Sequence, residues 1–379
     1  MPMRNRTNDC SQSQKVGFHL SQKGKHIAMS SKPKQIPMRA VPGYYSSTEG
    51  IQIAIQTGAD ASDEDLQFFQ QLGVEWAMVG VRNPEQHNLE FYKSLVKRFG
   101  DWGLKIYRVT NLGVHNVPEI TLNLPGRDAK VEEFKQFIRN IGAAGIKYNT
   151  YAHMANGIWS SGRAEGRGGM DARTLDITNA KGHWAGTIYE GELTHGRRYS
   201  EEELWDNYAH LMREIVPVAE EAGVFIGVHP DDPPVYDLGG IPRCMFGNFA
   251  GYKKAMEIAD SPNIGVCLCV GCWLEGGEKG MGNTPVDAIK YFGSKGQLFK
   301  VHFRNVSNPM PEPWVETLID NGYQDMYEVM KALREVKFDG CIIPDHIPAM
   351  LGGPRVGTAY SIAYMRALVQ AVNNEFGGP

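Results

Sequence analysis

From residue 51 onward the chain repeats one pattern: a short β-branched or aromatic run, a polar turn, then a longer stretch with apolar positions three and four apart. Strands are expected at 51–58, 75–81, 105–112, 146–152, 224–230, 264–271, 298–306 and 341–347. Helical patterns fill the gaps. "SDEDLQFFQQLG" opens on a capping box of Ser62 with Asp65 and ends at Gly73, and "VEEFKQFIRNIGAAG", "SEEELWDNYAHLMREIVPVAEEAG" and "DMYEVMKALREVKFDG" carry apolar stripes at helical spacing. Eight β-then-α units predict an α/β fold, a closed (β/α)8 TIM barrel, as one catalytic domain over 46–379. A doubly wound open sheet is the competitor, but no glycine-rich phosphate turn follows the first strand.

Two connections exceed ordinary loop length: 154–199 after the fourth strand and 231–248 after the fifth. Both lie at the carboxyl side of their strands, where barrel active sites form, so they are expected to be lids or substrate walls. Residues 1–45 differ in composition, being rich in Lys, Arg, Ser and Gln with Asp9 their only acid. They are expected to form a flexible leader that carries no chemistry.

A formal net charge of −4 and a pI of about 6.3 give no basic face for nucleic acid. No apolar run is long enough for a membrane helix. Six cysteines in a chain of 379 residues do not make a disulfide framework, which points to a reducing, cytoplasmic setting.

The strand ends carry the candidate chemistry. The fifth strand ends at His229, the sixth passes Cys269, the seventh holds His302, and the eighth ends at Asp345 followed by His346. In a closed barrel these four successive strands aim side chains at one point above the axis. The result is a mixed nitrogen, sulfur and oxygen set for a divalent transition metal. Within "VCLCVGCW", Cys267 and Cys269 share one face, so the one nearer the carboxyl end, Cys269, is expected at the rim with Cys267 one layer deeper. Cys272 falls past the turn at Gly271. A redox pair of Cys269 with Cys272 is the alternative use of this spacing.

At these positions the sequence resembles the mannonate dehydratase family of xylose-isomerase-like barrels. The likeness is carried by "HPDDPP" (229–234), "GGIPR" (239–243), "LCVG" (268–271), "VHFRNV" (301–306), "DMYEVMKAL" (325–333) and "PDH" (344–346), with "GIKYN" (145–149) and the "VH" ending at His115 fitting less tightly. The resemblance implies one divalent metal, manganese or ferrous iron, on His229, Cys269, His302 and Asp345. Ligand type alone favours zinc, which stays open. It also implies a hydro-lyase of hexuronate degradation that removes water from D-mannonate to give 2-keto-3-deoxy-D-gluconate, and a homo-oligomer, expected to be a dimer. The chemistry requires loss of a proton α to a carboxylate and protonation of a departing hydroxyl. His346 is an acid/base candidate, and Tyr360 is another by resemblance, the alternative being a core tyrosine on a helix face. Arg243 and Arg304 suit a sugar-acid carboxylate, or alternatively anchor Asp231 and Asp232. His115, Asp231 and Glu316 complete the expected substrate contacts. The chain departs from the family with Ile319 at a histidine place, Thr150 in "YNT", and a different first strand, all of which bear on the substrate more than on the reaction. A sugar isomerase or epimerase on the same barrel and a non-catalytic sugar-binding relative are the other two readings.

Overall fold

A computed structural model describes residues 50–377 and the backbone of Met38–Val41 and Tyr44–Ser46, which pair as an antiparallel hairpin. The rest of the leader expected over 1–45 lies outside the described residues. The barrel strands are β1 (Gln52–Gly58), β2 (Trp76–Gly80), β3 (Lys105–Thr110), β4 (Tyr148–Tyr151), β5 (Phe225–Val228), β6 (Ile264–Cys269), β7 (Leu298–Phe303) and β8 (Cys341–Pro344). All pairings between them are parallel, in the order β3-β2-β1-β8-β7-β6-β5-β4, with β3 beside β4, so the barrel is nearly closed. Each expected strand is present, shorter at its ends than the apolar run that announced it.

Eight helices ring the sheet: α1 (Asp63–Gln71), α2 (Leu89–Asp101), α3 (Arg127–Ala143), α4 (Glu201–Ala222), α5 (Phe249–Ala259), α6 (Pro285–Ser294), α7 (Met326–Glu335) and α8 (Pro354–Glu375). Reciprocal capping boxes start three of them, Ser62 with Asp65, Ser200 with Glu203 and Thr284 with Asp287. Each satisfies two backbone donors that a helix start otherwise leaves open. The amino-terminal end of the barrel interior is filled by Trp76, Tyr107, Tyr148, Phe299 and Cys341. The Tyr107 and Tyr148 rings stack at 4.6 Å, and the Tyr107 hydroxyl donates to the Phe299 carbonyl at 2.6 Å. This plug makes the barrel a packed core rather than a pore, and forces inward-facing polar side chains to the carboxyl end.

The long connection after β4 is built rather than loose. Strands Gly162–Glu165 and Asp171–Leu175 form a hairpin that pairs with Trp314–Thr317, itself paired with Asn305–Val306. Strands Ile158–Ser160, Lys181–Trp184 and Thr187–Tyr189 form a second small sheet, and Asp171 bridges to Ala349. The insertion is thereby stitched to the segments that follow β7 and β8 and makes a roof over the barrel mouth. The connection after β5 runs buried beneath it, through Asp231, Asp232 and Arg243.

Candidate metal centre and active site

Period-two alternation on β6 and β7 aims Cys267, Cys269, Lys300 and His302 inward, and β5 and β8 deliver His229 and Asp345 just past their last paired residues. The His229 Nδ1–H donates to the Pro230 carbonyl at 2.7 Å. That bond fixes the tautomer and leaves Nε2 with a free lone pair. Nε2 lies 3.2 Å from His302 Nδ1, which is itself 3.2 Å from Asp345 Oδ2. The donor atoms of Cys269, His302 and Asp345 all lie within 4.8 Å of one another. Two ligands each about 2.1 Å from a shared cation stand about 3 Å apart, so the nitrogen and oxygen spacings fit one ion. The buried His302 Nε2 has no hydrogen-bond partner among the described residues.

The electrostatics prepare the anionic ligands. Burial acts to raise the Cys269 thiol, but the hydrogen bond with Cys272, the charge of Arg304 and hydrogen bonds to His229 and His302 outweigh it and hold it well below its ordinary value. Burial is likewise overcome at Asp345 by His302, His346 and Arg304, which keep it ionised. Gln56 Nε2 donates to the other carboxylate oxygen, Oδ1, at 2.9 Å and orients it.

Above these residues lies a buried ionic lattice. Arg304, one residue past β7, reaches Glu275 at 2.7 Å, Glu316 at 3.1 Å and Asp232 at 3.2 Å, and approaches Asp345 at 3.5 Å. Arg173 comes down from the roof to Asp232 and Glu316 at 2.8 Å and Glu275 at 3.0 Å. Gly271 is required here, because a Cβ would meet the Arg304 side chain at 2.4 Å. Burial and the Asp232 charge push Glu275 up to about 8 against the two guanidinium groups. His346 joins the lattice at its edge: its Nδ1–H donates to Glu316 Oε1 at 2.6 Å, leaving Nε2 3.8 Å from Asp345. Burial pulls the His346 imidazole down, but Asp345 and Glu316 outweigh it and raise its pKa. His346 holds the left-handed conformation, φ 47°, which a non-glycine residue enters only at a cost. Its side chain, a third exposed, borders the 460 Å³ cavity under the roof, which Arg173, Trp184 and Ile188 also line.

The residues expected from sequence therefore separate. His229, Cys269, His302, Asp345 and His346 converge. Of the two uses open for the arginines, the structure gives them anchoring: Arg304 holds Asp232, while Arg243 lies 3.6 Å from Asp231 and donates to Asn156 and to the Gly157 carbonyl. Burial pushes Asp231 up to about 6 despite Arg243. Glu316 is engaged by Arg173, Arg304 and His346 rather than open to the cavity. His115 stacks on Trp184 of the roof at 5.2 Å. Tyr360 stands apart from the cluster, its hydroxyl donating to Asp320 at 2.8 Å and accepting from Arg167 at 3.3 Å. Cys267 sits one layer down, near Thr150, as expected. Cys272 does not fall away past the turn, because a helix, Val270–Met281, begins directly after β6 and its first turn folds the thiol back beside Cys269. Sequence reading missed Arg173, Gln56 and Glu275. Arg173 lies in an insertion without periodicity; Glu275, an acid inside an apolar and glycine run, carried the one usable signal.

A nearly closed (β/α)8 barrel with imidazole, thiolate and carboxylate donors converging at its mouth defines a barrel enzyme built to hold a cation among its strand ends. Residues 187–377 match the family model for D-mannonate dehydratase (UxuA). Mannonate dehydratase 2 of Halalkalibacterium halodurans is 30% identical over 285 residues, covering 70% of this chain and 80% of the relative. The mannonate dehydratase of Thermotoga neapolitana is 29% identical over 325 residues, covering 78% and 87%. The crystal structure of mannonate dehydratase from Streptococcus suis serotype 2 superposes with a TM-score of 0.76 at 25% identity, covering 87% of this chain and 96% of that one. A xylose isomerase domain protein from Planctomyces limnophilus shares the fold, with a TM-score of 0.57 at 13% identity over 86% of this chain and 99% of that one. The chain belongs to the D-mannonate dehydratase family, metal-dependent hydro-lyases. Among the described residues no helix is long and apolar enough to cross a membrane.

Proposed function

We propose that this chain dehydrates D-mannonate to 2-keto-3-deoxy-D-gluconate, with manganese or ferrous iron held by His229, Cys269, His302 and Asp345. The observation that carries the reading is the donor set of two facing imidazoles, a thiolate and a carboxylate beside a carboxylate-oriented histidine. A cation held there would supply Lewis acidity for the charge that develops on the substrate.

The protein's residues supply the rest. Glu316 accepts the Nδ1–H of His346 and so fixes which ring nitrogen is left for substrate. Asp345 and Glu316 raise the His346 pKa and so make Nε2 the stronger base; it takes the C2 proton and returns that proton to the C3 hydroxyl, which leaves as water. Arg173 and Arg304 hold Glu316 and Asp232 in place, and Arg173 ties the roof to the barrel mouth. His115, stacked on Trp184, forms a wall for the sugar-acid chain. Residues 46–379 act as one catalytic domain, working as a cytoplasmic homodimer.

Incubation with a panel of aldonic acids and manganese, without oxygen, tests the reading by release of a 2-keto-3-deoxy acid. D-Mannonate is expected to give product, and His346→Gln to abolish it. Absence of product from every hexonate overturns the assignment.

A further inference from the structure

The third thiol of "CLCVGC" is not needed by the dehydration, yet it sits at the centre. Cys269 caps the Val270–Met281 helix, and Cys272 lies three residues on, so one helical turn stacks the two side chains. The Cys272 backbone N–H donates to Cys269 Sγ at 3.5 Å. The donor atoms of His229, Cys269 and Cys272 lie within 4.8 Å of one another, as do those of Cys269, His302 and Asp345. Cys269 thus belongs to two overlapping sets: one adds an imidazole and a carboxylate, the other an imidazole and a second sulfur. Hard cations that want oxygen and nitrogen suit the first set, while thiophilic cations suit the second.

We propose that His229, Cys269 and Cys272 form a second binding mode of the same centre, taken by thiophilic divalent cations of the zinc and cadmium class. The inference rests on the metal-site reading above and adds which cation goes where. Occupation by such an ion replaces the Cys272 S–H bond with a sulfur–metal bond and releases one proton to solvent. The charge left on Cys272 is met by Arg304, whose Nη2 already lies 3.3 Å from this sulfur. A cation drawn toward Cys272 is drawn away from His302 and Asp345. Zinc and cadmium are therefore expected to bind tightly and to compete with manganese through a different donor set.

The test titrates the full-length metal-free chain with cadmium, reading the ultraviolet sulfur-to-cadmium charge-transfer band, and in parallel with manganese, reading the free ion by paramagnetic resonance. Wild type is expected to show a two-thiolate band. Cys272→Ser should show a one-thiolate band and bind cadmium at least about tenfold more weakly, with manganese affinity unchanged within about twofold. Equal bands and affinities in the two proteins overturn the proposal, including the case in which Cys267 supplies a second sulfur. Manganese bound tightly by wild type beside a one-thiolate cadmium band sinks this inference alone, whereas failure of wild type to bind either ion sinks the metal-site reading beneath it. If Cys272→Ser does not fold, the cadmium-113 resonance of wild type decides between one sulfur and two.

Discussion

Replacing Arg173 with methionine tests whether the roof is held down by charge. The guanidinium sits 11% exposed, within 3.0 Å of Asp232, Glu275 and Glu316. Breaking a buried ion pair by removing one partner costs about 3–5 kcal/mol, because the other charge is left uncompensated. Arg304 still contacts all three carboxylates, so the loss belongs at the low end, about 3 kcal/mol. At about 2 °C per kcal/mol for a chain of this size, the melting temperature should fall by about 6 °C. The defect also has a signed pH dependence. Without Arg173 the folded carboxylates take up protons more readily, Glu275 first since it already stands at about 8. The variant's deficit should therefore shrink as pH falls toward 8 from above, where only the variant's Glu275 is protonated, and level off for this group below pH 8. Differential scanning calorimetry on Arg173→Met, Asp232→Asn and the double variant measures this directly. The double variant should lose less than the sum of the singles, by about 1–2 kcal/mol. A methionine variant melting within about 1 °C of wild type, or strictly additive losses, would refute the reasoning.

Three further outcomes follow from the site and the core. Cys269→Ala should purify with manganese far below one equivalent and lose activity by about 100-fold or more, read by elemental analysis and keto-acid assay. Glu316→Gln removes a carboxylate that raises the His346 pKa, so the limb of the pH–rate profile belonging to His346 should move to lower pH. His153 is held neutral, its pKa pushed down to about 3 by burial. The unfolded chain binds that proton below about pH 6.5, whereas the native chain refuses it until about pH 3. Stability is therefore expected to fall as pH drops through this window, by at most about 1.4 kcal/mol per pH unit from this group. His153→Gln should flatten that slope in urea titrations.

The barrel was legible because its strands alternate with capped amphipathic helices, and the donors were legible because they stand at the ends of successive strands. Position along a strand was enough to place Cys269 at the rim and Cys267 below it. What escaped depends on contacts distant in sequence. Arg173 lies in a glycine- and arginine-rich stretch whose strands exist because Trp314–Thr317 offers them an edge. Arg304 looked equally suited to a substrate carboxylate until three buried acids were seen to surround it. Cys272 was misplaced because a strand that turns directly into a helix was read as ending in an open turn. Tyr360 matched by spacing, yet spacing cannot show that its hydroxyl is taken by Asp320.

The left-handed backbone at His346 sets turnover and robustness against each other. A side chain in that conformation costs roughly 1–2 kcal/mol that glycine does not, and glycine gives back only about 0.4–1 kcal/mol through a freer unfolded chain. Glu316 would keep both arginines. His346→Gly is therefore expected to melt no lower than wild type while losing turnover, and a library sorted only for heat resistance should enrich the dead enzyme at this codon.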